Sequence, residues 1–188
     1  PIRTLDDERN HLFKDFLRVV SSLKPKAVLI ENVPGIISLG QGTVVQQIYA
    51  ELETLGYKVK HKILFAGHYG IPQMRFRTIF IGIREYKGEI VFPEPEFDAK
   101  AVANFTGAKE LCISTPPLFY PDLKPQVNVW AALSDLPEIE NSQTTSPDRY
   151  SCIEQNDYQK YLRNKCTKLT AHYCAKVAEV NLERLKYI

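Results

Sequence analysis

The chain has 188 residues, is 44% hydrophobic and 24% charged, and carries a formal net charge of +2. That balance excludes a disordered or fibrous chain, and no apolar run approaches the ~20 residues that a membrane-spanning helix needs. The length predicts one domain, or one domain with a small appendage.

In chain order, the apolar residues at 13, 16, 17, 19, 20 and 23 follow helical spacing, and Pro25 ends that helix. Residues 27–30 form a short apolar run between Lys26 and Glu31, the pattern of a buried parallel strand. A second helix is predicted over residues 43–55, with Gly56 as its stop. Residues 57–65 alternate: Tyr57, Val59, His61, Ile63 and Phe65 share one face, and Lys58, Lys60 and Lys62 take the other. Residues 78–83 are a second buried strand. The order helix, strand, helix, strand, strand predicts an α/β layered sheet, mostly parallel with an antiparallel component near its end.

Beyond residue 92 the texture changes. Eight of the twelve prolines fall between residues 93 and 150, which predicts a loop-rich region. Within it, residues 127–136 read as a short strand running into a helix. Residues 154–165 read as helical, and 172–186 as helix or turn. Charge is segregated here. Residues 128–157 hold six acids against one arginine, a local −5, whereas residues 158–188 hold seven Lys/Arg against two acids, a local +5. Such a basic stretch reads either as a solvated helix face or as a means of neutralising phosphates.

The four cysteines, at 112, 152, 166 and 174, form no C-x-x-C pair and are too few for a disulfide scaffold. They are read as reduced thiols of an intracellular protein with no metal site. Residues 1–15 are mixed polar and charged and do not read as a secretory leader. The chain opens on Pro1 and its one methionine is Met74, so the expectation is a chain processed or cut from something longer.

Two motifs carry chemistry. Glu31-Asn32-Val33-Pro34-Gly35 follows the strand at 27–30 directly. Ligands of open α/β sheets bind beyond the carboxyl ends of strands, so Glu31 is expected in the mouth of a cleft, partly desolvated, with a raised pKa. The plainer reading is a cap or a salt-bridge partner. The second motif, Gln73-Met74-Arg75-Phe76-Arg77, is preceded by Tyr69-Gly70-Ile71-Pro72. If extended, it projects Gln73, Arg75 and Arg77 to one face, a set able to grip a phosphate, a carboxylate or a base edge. The plainer reading is an arginine network tying loops together. One helix and one strand separate the motifs, so both can converge at one sheet edge.

With Asp7, Arg9, Leu12 and Phe13 ahead of them, these motifs resemble the DNA cytosine-5 methyltransferase family. Its members show Asp-x-Arg-x-x-Leu-Phe, then Glu-Asn-Val after a strand, then Tyr-Gly-Ile-Pro-Gln leading into Gln-x-Arg-x-Arg. The resemblance covers residues 2–92. It continues more loosely through residues 129–137 and the stretch holding His172, Asn181, Arg184 and Ile188, which are similar to parts of the target-recognition region. It implies a part of a Rossmann-like S-adenosylmethionine-dependent methyltransferase sheet over residues 1–92, then part of a recognition region over 93–188. The implied reaction moves a methyl group from S-adenosylmethionine to C5 of a cytosine flipped out of double-stranded DNA, as in restriction-modification. The implied roles are Glu31 on cytosine N3 and N4, Arg77 on O2 or the phosphate, Arg75 bracing the nucleophile's loop and Gln73 ordering that network. Asn32 would brace the turn, and Leu12 would lie near the adenine of the cofactor.

The family's Pro-Cys nucleophile and glycine-rich cofactor loop do not occur in this sequence. The expectation is therefore a fragment of such an enzyme, inactive alone. The alternatives are one subunit of a split methyltransferase completed by a partner chain, a non-catalytic DNA-binding module, and a tRNA-methylating relative. The implied location is the bacterial cytoplasm with its nucleoid, or a eukaryotic nucleus. An unpaired edge beside strand 27–30 is expected to associate with itself or pack against something.

Overall fold

The computed structural model describes residues 11–100 and 122–187. Asp7, Arg9, Cys112 and Ile188 lie outside that range. Two compact units divide the chain, one ending at Gln126 and the other starting at Val127.

The first unit is built on a three-stranded sheet. Its elements run α1 (His11–Leu23), β1 (Ala27–Asn32), α2 (Thr43–Thr54), β2 (Tyr57–Phe65) and β3 (Phe76–Arg84). The element order is the one that the periodicity predicts. The pairing differs. The strand order is β1-β3-β2, and β3 runs antiparallel to both neighbours. β1 and β2 therefore point the same way but share no hydrogen bonds. Apolar runs mark a strand as buried on both faces and say nothing of direction, so the expected mostly parallel pairing is overturned by the insertion of β3. β1 lies at the edge of this sheet among the described residues.

The strands place alternate residues on opposite faces. Val28 of β1, Phe80 of β3 and Tyr57 and Val59 of β2 join Val20 of α1 and Ile48 and Leu52 of α2 in one buried core. Both helices thus cover the same face. Burying side chains of this size stabilises by about 1.5–3 kcal/mol each. Tyr57 also donates its hydroxyl to the carbonyl of Pro25 at 2.6 Å, which pins the α1–β1 turn against β2. Beyond β3, the two-residue strand β4 (Phe97–Asp98) pairs in parallel with β5 (Lys124–Pro125).

The second unit has little apolar core. Ala132 and Leu169 are its buried hydrophobic residues among those described. Its helices are short: α3 (Val129–Leu133), α4 (Asp157–Arg163) and α5 (Glu179–Leu185), where the sequence predicts a strand into a helix, a longer helix over 154–165, and a helix or turn over 172–186. Helices of this length are marginal by themselves. Side chains cap two of them: Asn128 accepts from the Ala131 amide at 2.7 Å in α3, and Asn156 from the Gln159 amide at 3.0 Å in α4.

A buried ion pair ties this unit together. Arg163 is 8% exposed and Asp135 4%, with Nη2 2.6 Å from the carboxylate. The same guanidinium donates to the Cys152 carbonyl at 2.7 Å and stacks 3.7 Å over the Tyr150 ring. Gln159, also buried, donates to Ser134 Oγ at 2.9 Å and accepts from the Gln155 amide at 2.7 Å. Removing one partner of such a pair leaves a buried charge uncompensated and costs about 3–5 kcal/mol. Asp135→Ala is expected to destabilise the second unit so that it unfolds at lower urea than the first, giving two separate transitions. A single transition unchanged from wild type would contradict that.

Candidate base-binding site

Glu31 and Arg77 meet across the β1–β3 ladder. Glu31 stands opposite Ile79, so Arg77, two residues before Ile79, is its diagonal neighbour on the same face. Long side chains reach across that diagonal. The Arg77 Nε makes an ion pair with Glu31 Oε1, while Arg77 Nη1 donates to the Phe76 carbonyl at 2.8 Å. The Arg77 side chain is 22% exposed and that of Glu31 51%. Glu31 is therefore half open to solvent and is held from one side by the guanidinium. The pair lies on the sheet face opposite α1 and α2.

Asn32 turns inward. Its Oδ1 accepts from the Val33 amide at 2.8 Å, and Pro34–Ile36 continues as a 3-10 turn. Gln73 and Arg75 are not brought into line with Arg77. The Gln73 amide donates to the Ile71 carbonyl at 2.7 Å and the Arg75 amide to the Gln73 carbonyl at 2.9 Å. Residues 71–75 thus make two successive tight turns, and the extended stretch begins only at Phe76. Pro72 removes one ladder donor and starts this departure. Gln73, Met74 and Arg75 are exposed, and Thr78 is buried. The expected three-residue face is therefore reduced to Arg77.

Leu12, at the start of α1, is 68% exposed. No group of three or more His, Cys, Asp or Glu among the described residues could hold a metal ion. Cys152, Cys166 and Cys174 are free, and no described helix is long and apolar enough to cross a membrane.

Two histidines missed by the motif reading are packed into the first unit, one on the sheet and one in the turn after β2. The His61 ring on β2 has its centroid 5.0 Å from that of Phe80, and its Nδ1 shares a 2.8 Å hydrogen bond with the Tyr49 hydroxyl from α2. His68 occupies the 3-10 turn Ala66–Tyr69 and donates from Nε2 to the Ala99 carbonyl at 3.2 Å. The signal for His61 was its place on the apolar side of an alternating strand. His68 had only its neighbours Gly67 and Gly70. Burial pushes the pKa of both below the ordinary histidine value, and burial raises that of Tyr49.

A family profile for C-5 cytosine-specific DNA methylases matches residues 3–184. The chain belongs to this family. It is similar to the type II methyltransferase M.AgeI of Thalassovita gelatinovora, 32% identical over 184 residues, covering 96% of this chain and 42% of that protein. The type II methyltransferase M1.HphI of Haemophilus parahaemolyticus is 50% identical over 90 residues, 48% of this chain and 24% of that protein. DNA (cytosine-5)-methyltransferase 3 of Zea mays is 30% identical over 160 residues, 85% of this chain and 18% of that protein. The chain thus spans less than half the length of each. A crystal structure described as that of a prophage-encoded DNA modification methyltransferase of E. coli aligns with a TM-score of 0.55 and 27% identity, covering 84% of this chain and 40% of that one. The β1-β3-β2 sheet is accordingly part of a Rossmann-like methyltransferase fold, in a family whose methyl donor is S-adenosylmethionine.

The histidines set a pH dependence. Their folded pKa values lie below the unfolded value of ~6.5, so their contribution to stability is complete above that value. It is lost as pH falls through ~6.5 toward the lowered folded values, because the unfolded chain takes up the protons first. The thermal midpoint is expected to fall between pH 7.5 and 5.5, and less so in a His61→Phe variant. An equal fall in both would remove His61 from this account.

Proposed function

We propose that this chain supplies the base-binding carboxylate and its arginine clamp to a DNA (cytosine-5) methyltransferase acting on a cytosine flipped out of double-stranded DNA. The observation that carries this reading is the Glu31–Arg77 ion pair on an open sheet face. Cytosine presents an acceptor at N3, a donor at N4 and an acceptor at O2. A carboxyl group can accept from N4–H with one oxygen and donate a proton to N3 with the other, and a guanidinium can donate to O2. Arg77 contacts Oε1 from one side, and the half-exposed Glu31 carboxyl keeps lone pairs on both oxygens for a ligand with that edge.

A proton held on N3 by Glu31 draws electrons from the ring and makes C6 open to a thiolate, after which C5 becomes the nucleophile. S-adenosylmethionine, when bound, supplies the methyl group; among the described residues Leu12 would hold its adenine. Gln73 and Arg75 would brace the surrounding loop, and Asn32 keeps the turn after β1 closed. Duplex DNA is the partner that fits the remaining charge. Lys165, Lys168, Lys176 and Arg184 are exposed in the second unit and can contact phosphates. The type II relatives point to a role in restriction-modification, and the residues that complete the site would come from elsewhere in the protein or from a complementary subunit.

In the intact methyltransferase, Glu31→Gln is expected to cut the rate by ~10²–10⁴-fold, the range for one positioned acid–base group; an unchanged rate removes Glu31 from the mechanism. The 188-residue chain contains no Pro-Cys dipeptide. Assayed alone with labelled S-adenosylmethionine and duplex DNA, it is expected to transfer no label. Turnover by this chain would overturn the assignment of the nucleophile to another segment.

A further inference from the structure

His68 stands at the head of a packed chain of side chains that ends on Glu31. Its ring is 4% exposed and meets the Phe65 ring edge-on, with centroids 5.1 Å apart and an interplanar angle of 89°. Phe65 stacks on Phe76 at 4.7 Å and 28°. The Phe76 carbonyl accepts from Arg77 Nη1 at 2.8 Å, and Arg77 holds Glu31. The backbone repeats the connection, because the Ala66 amide donates to the Arg75 carbonyl at 2.8 Å.

The other side of His68 is tethered to the segment after β3. Its Nε2 donates to the Ala99 carbonyl at 3.2 Å, and its own carbonyl accepts from the Glu96 amide at 2.9 Å. The glycines on either side make this seat possible. A Cβ on Gly67 would come within 2.6 Å of the Phe65 ring and 2.9 Å of Ala99 Cβ. One on Gly70, where φ is +75°, would come within 2.7 Å of Phe97. Glu96 in turn accepts from the Lys124 amide at 2.9 Å, beside the β4–β5 pair. Burial keeps the imidazole neutral, against the opposing pull of Asp98 and the Ala99 carbonyl and with the support of Lys62. A neutral ring has one N–H, and the Ala99 carbonyl fixes it on Nε2.

From this geometry we infer that His68 is a positioning residue for base binding: through Phe65 and Phe76 it sets where the Arg77 guanidinium presents the Glu31 carboxylate. The inference rests on the proposed function. Packed cores transmit small displacements because they do not deform smoothly, and displacements of about 1 Å at a reacting group can cost ~10²-fold in rate.

The test uses the intact methyltransferase. His68→Gln keeps an N–H within reach of the Ala99 carbonyl, and His68→Leu does not. His68→Leu is expected to lower kcat about tenfold with KM for DNA and for S-adenosylmethionine held within about twofold, the pattern of an interaction made in the transition state. His68→Gln is expected to restore most of the rate. In an Arg77→Lys background, His68→Leu is expected to add little, since both changes act through one group. Full kcat in His68→Leu, or losses that simply add, would overturn the inference. Should His68→Leu fail to fold, Phe76→Leu breaks the stack while leaving the Ala99 tether, and is expected to show the same kcat loss and the same non-additivity; full activity there overturns it equally. A wild-type enzyme that methylates nothing sinks the proposed function instead, so the two failures are separable.

Discussion

Among the described residues, β3 carries the hydrogen bonds that join β1 to β2, and its two registers set the position of every side chain near the end of β1. A one-residue slip on the β1 side would move Glu31 to the helix-covered face and Asn32 to the open one. That slip is resisted by the core, because Val28 would leave it while Phe80, held by the β2 register, would stay. The chemistry of the open face is therefore guarded by the apolar packing of the opposite face. Glu31 and Arg77 need no dedicated scaffold; they inherit their alignment from the residues that alternate with them.

Much of this was legible from spacing. The helices and strands of residues 11–84 follow apolar periodicity closely, and the two motifs do converge, with Glu31 and Arg77 in contact. Pairing direction was not legible, because Thr78–Ile83 reads as buried whether its neighbours run with it or against it. Nor was the conformation of Gln73 and Arg75. Alternation implies a strand, but Pro72 and the turns around it absorb those residues before the ladder begins at Phe76. His68 escaped notice because its significance lies in contacts with Phe65 and Ala99, three residues before it and 31 residues after it.

The second unit shows a different limit. Its sequence suggested a basic stretch, but Arg163, one of the seven basic residues, is spent on Asp135 and Tyr150, and Lys160 and Lys186 pair with acids three residues before them. Counting charges overstates what is free to meet phosphate. The acidic stretch ahead of it is likewise not a uniform surface, since Asp135 is buried and Glu154 lies 3.5 Å from the same arginine. The two oppositely charged segments are partly each other's complement.

That arrangement has a thermal consequence. Unfolding changes heat capacity mainly through newly wetted apolar surface, while newly wetted polar surface opposes the change. The first unit, with its core of Val20, Val28, Ile48, Leu52 and Phe80, has a strongly curved stability profile with temperature. The second, centred on Arg163, Asp135 and Gln159, has a flatter one. Cooling is accordingly expected to weaken the first unit more than the second, with the two units reaching their greatest stability at different temperatures.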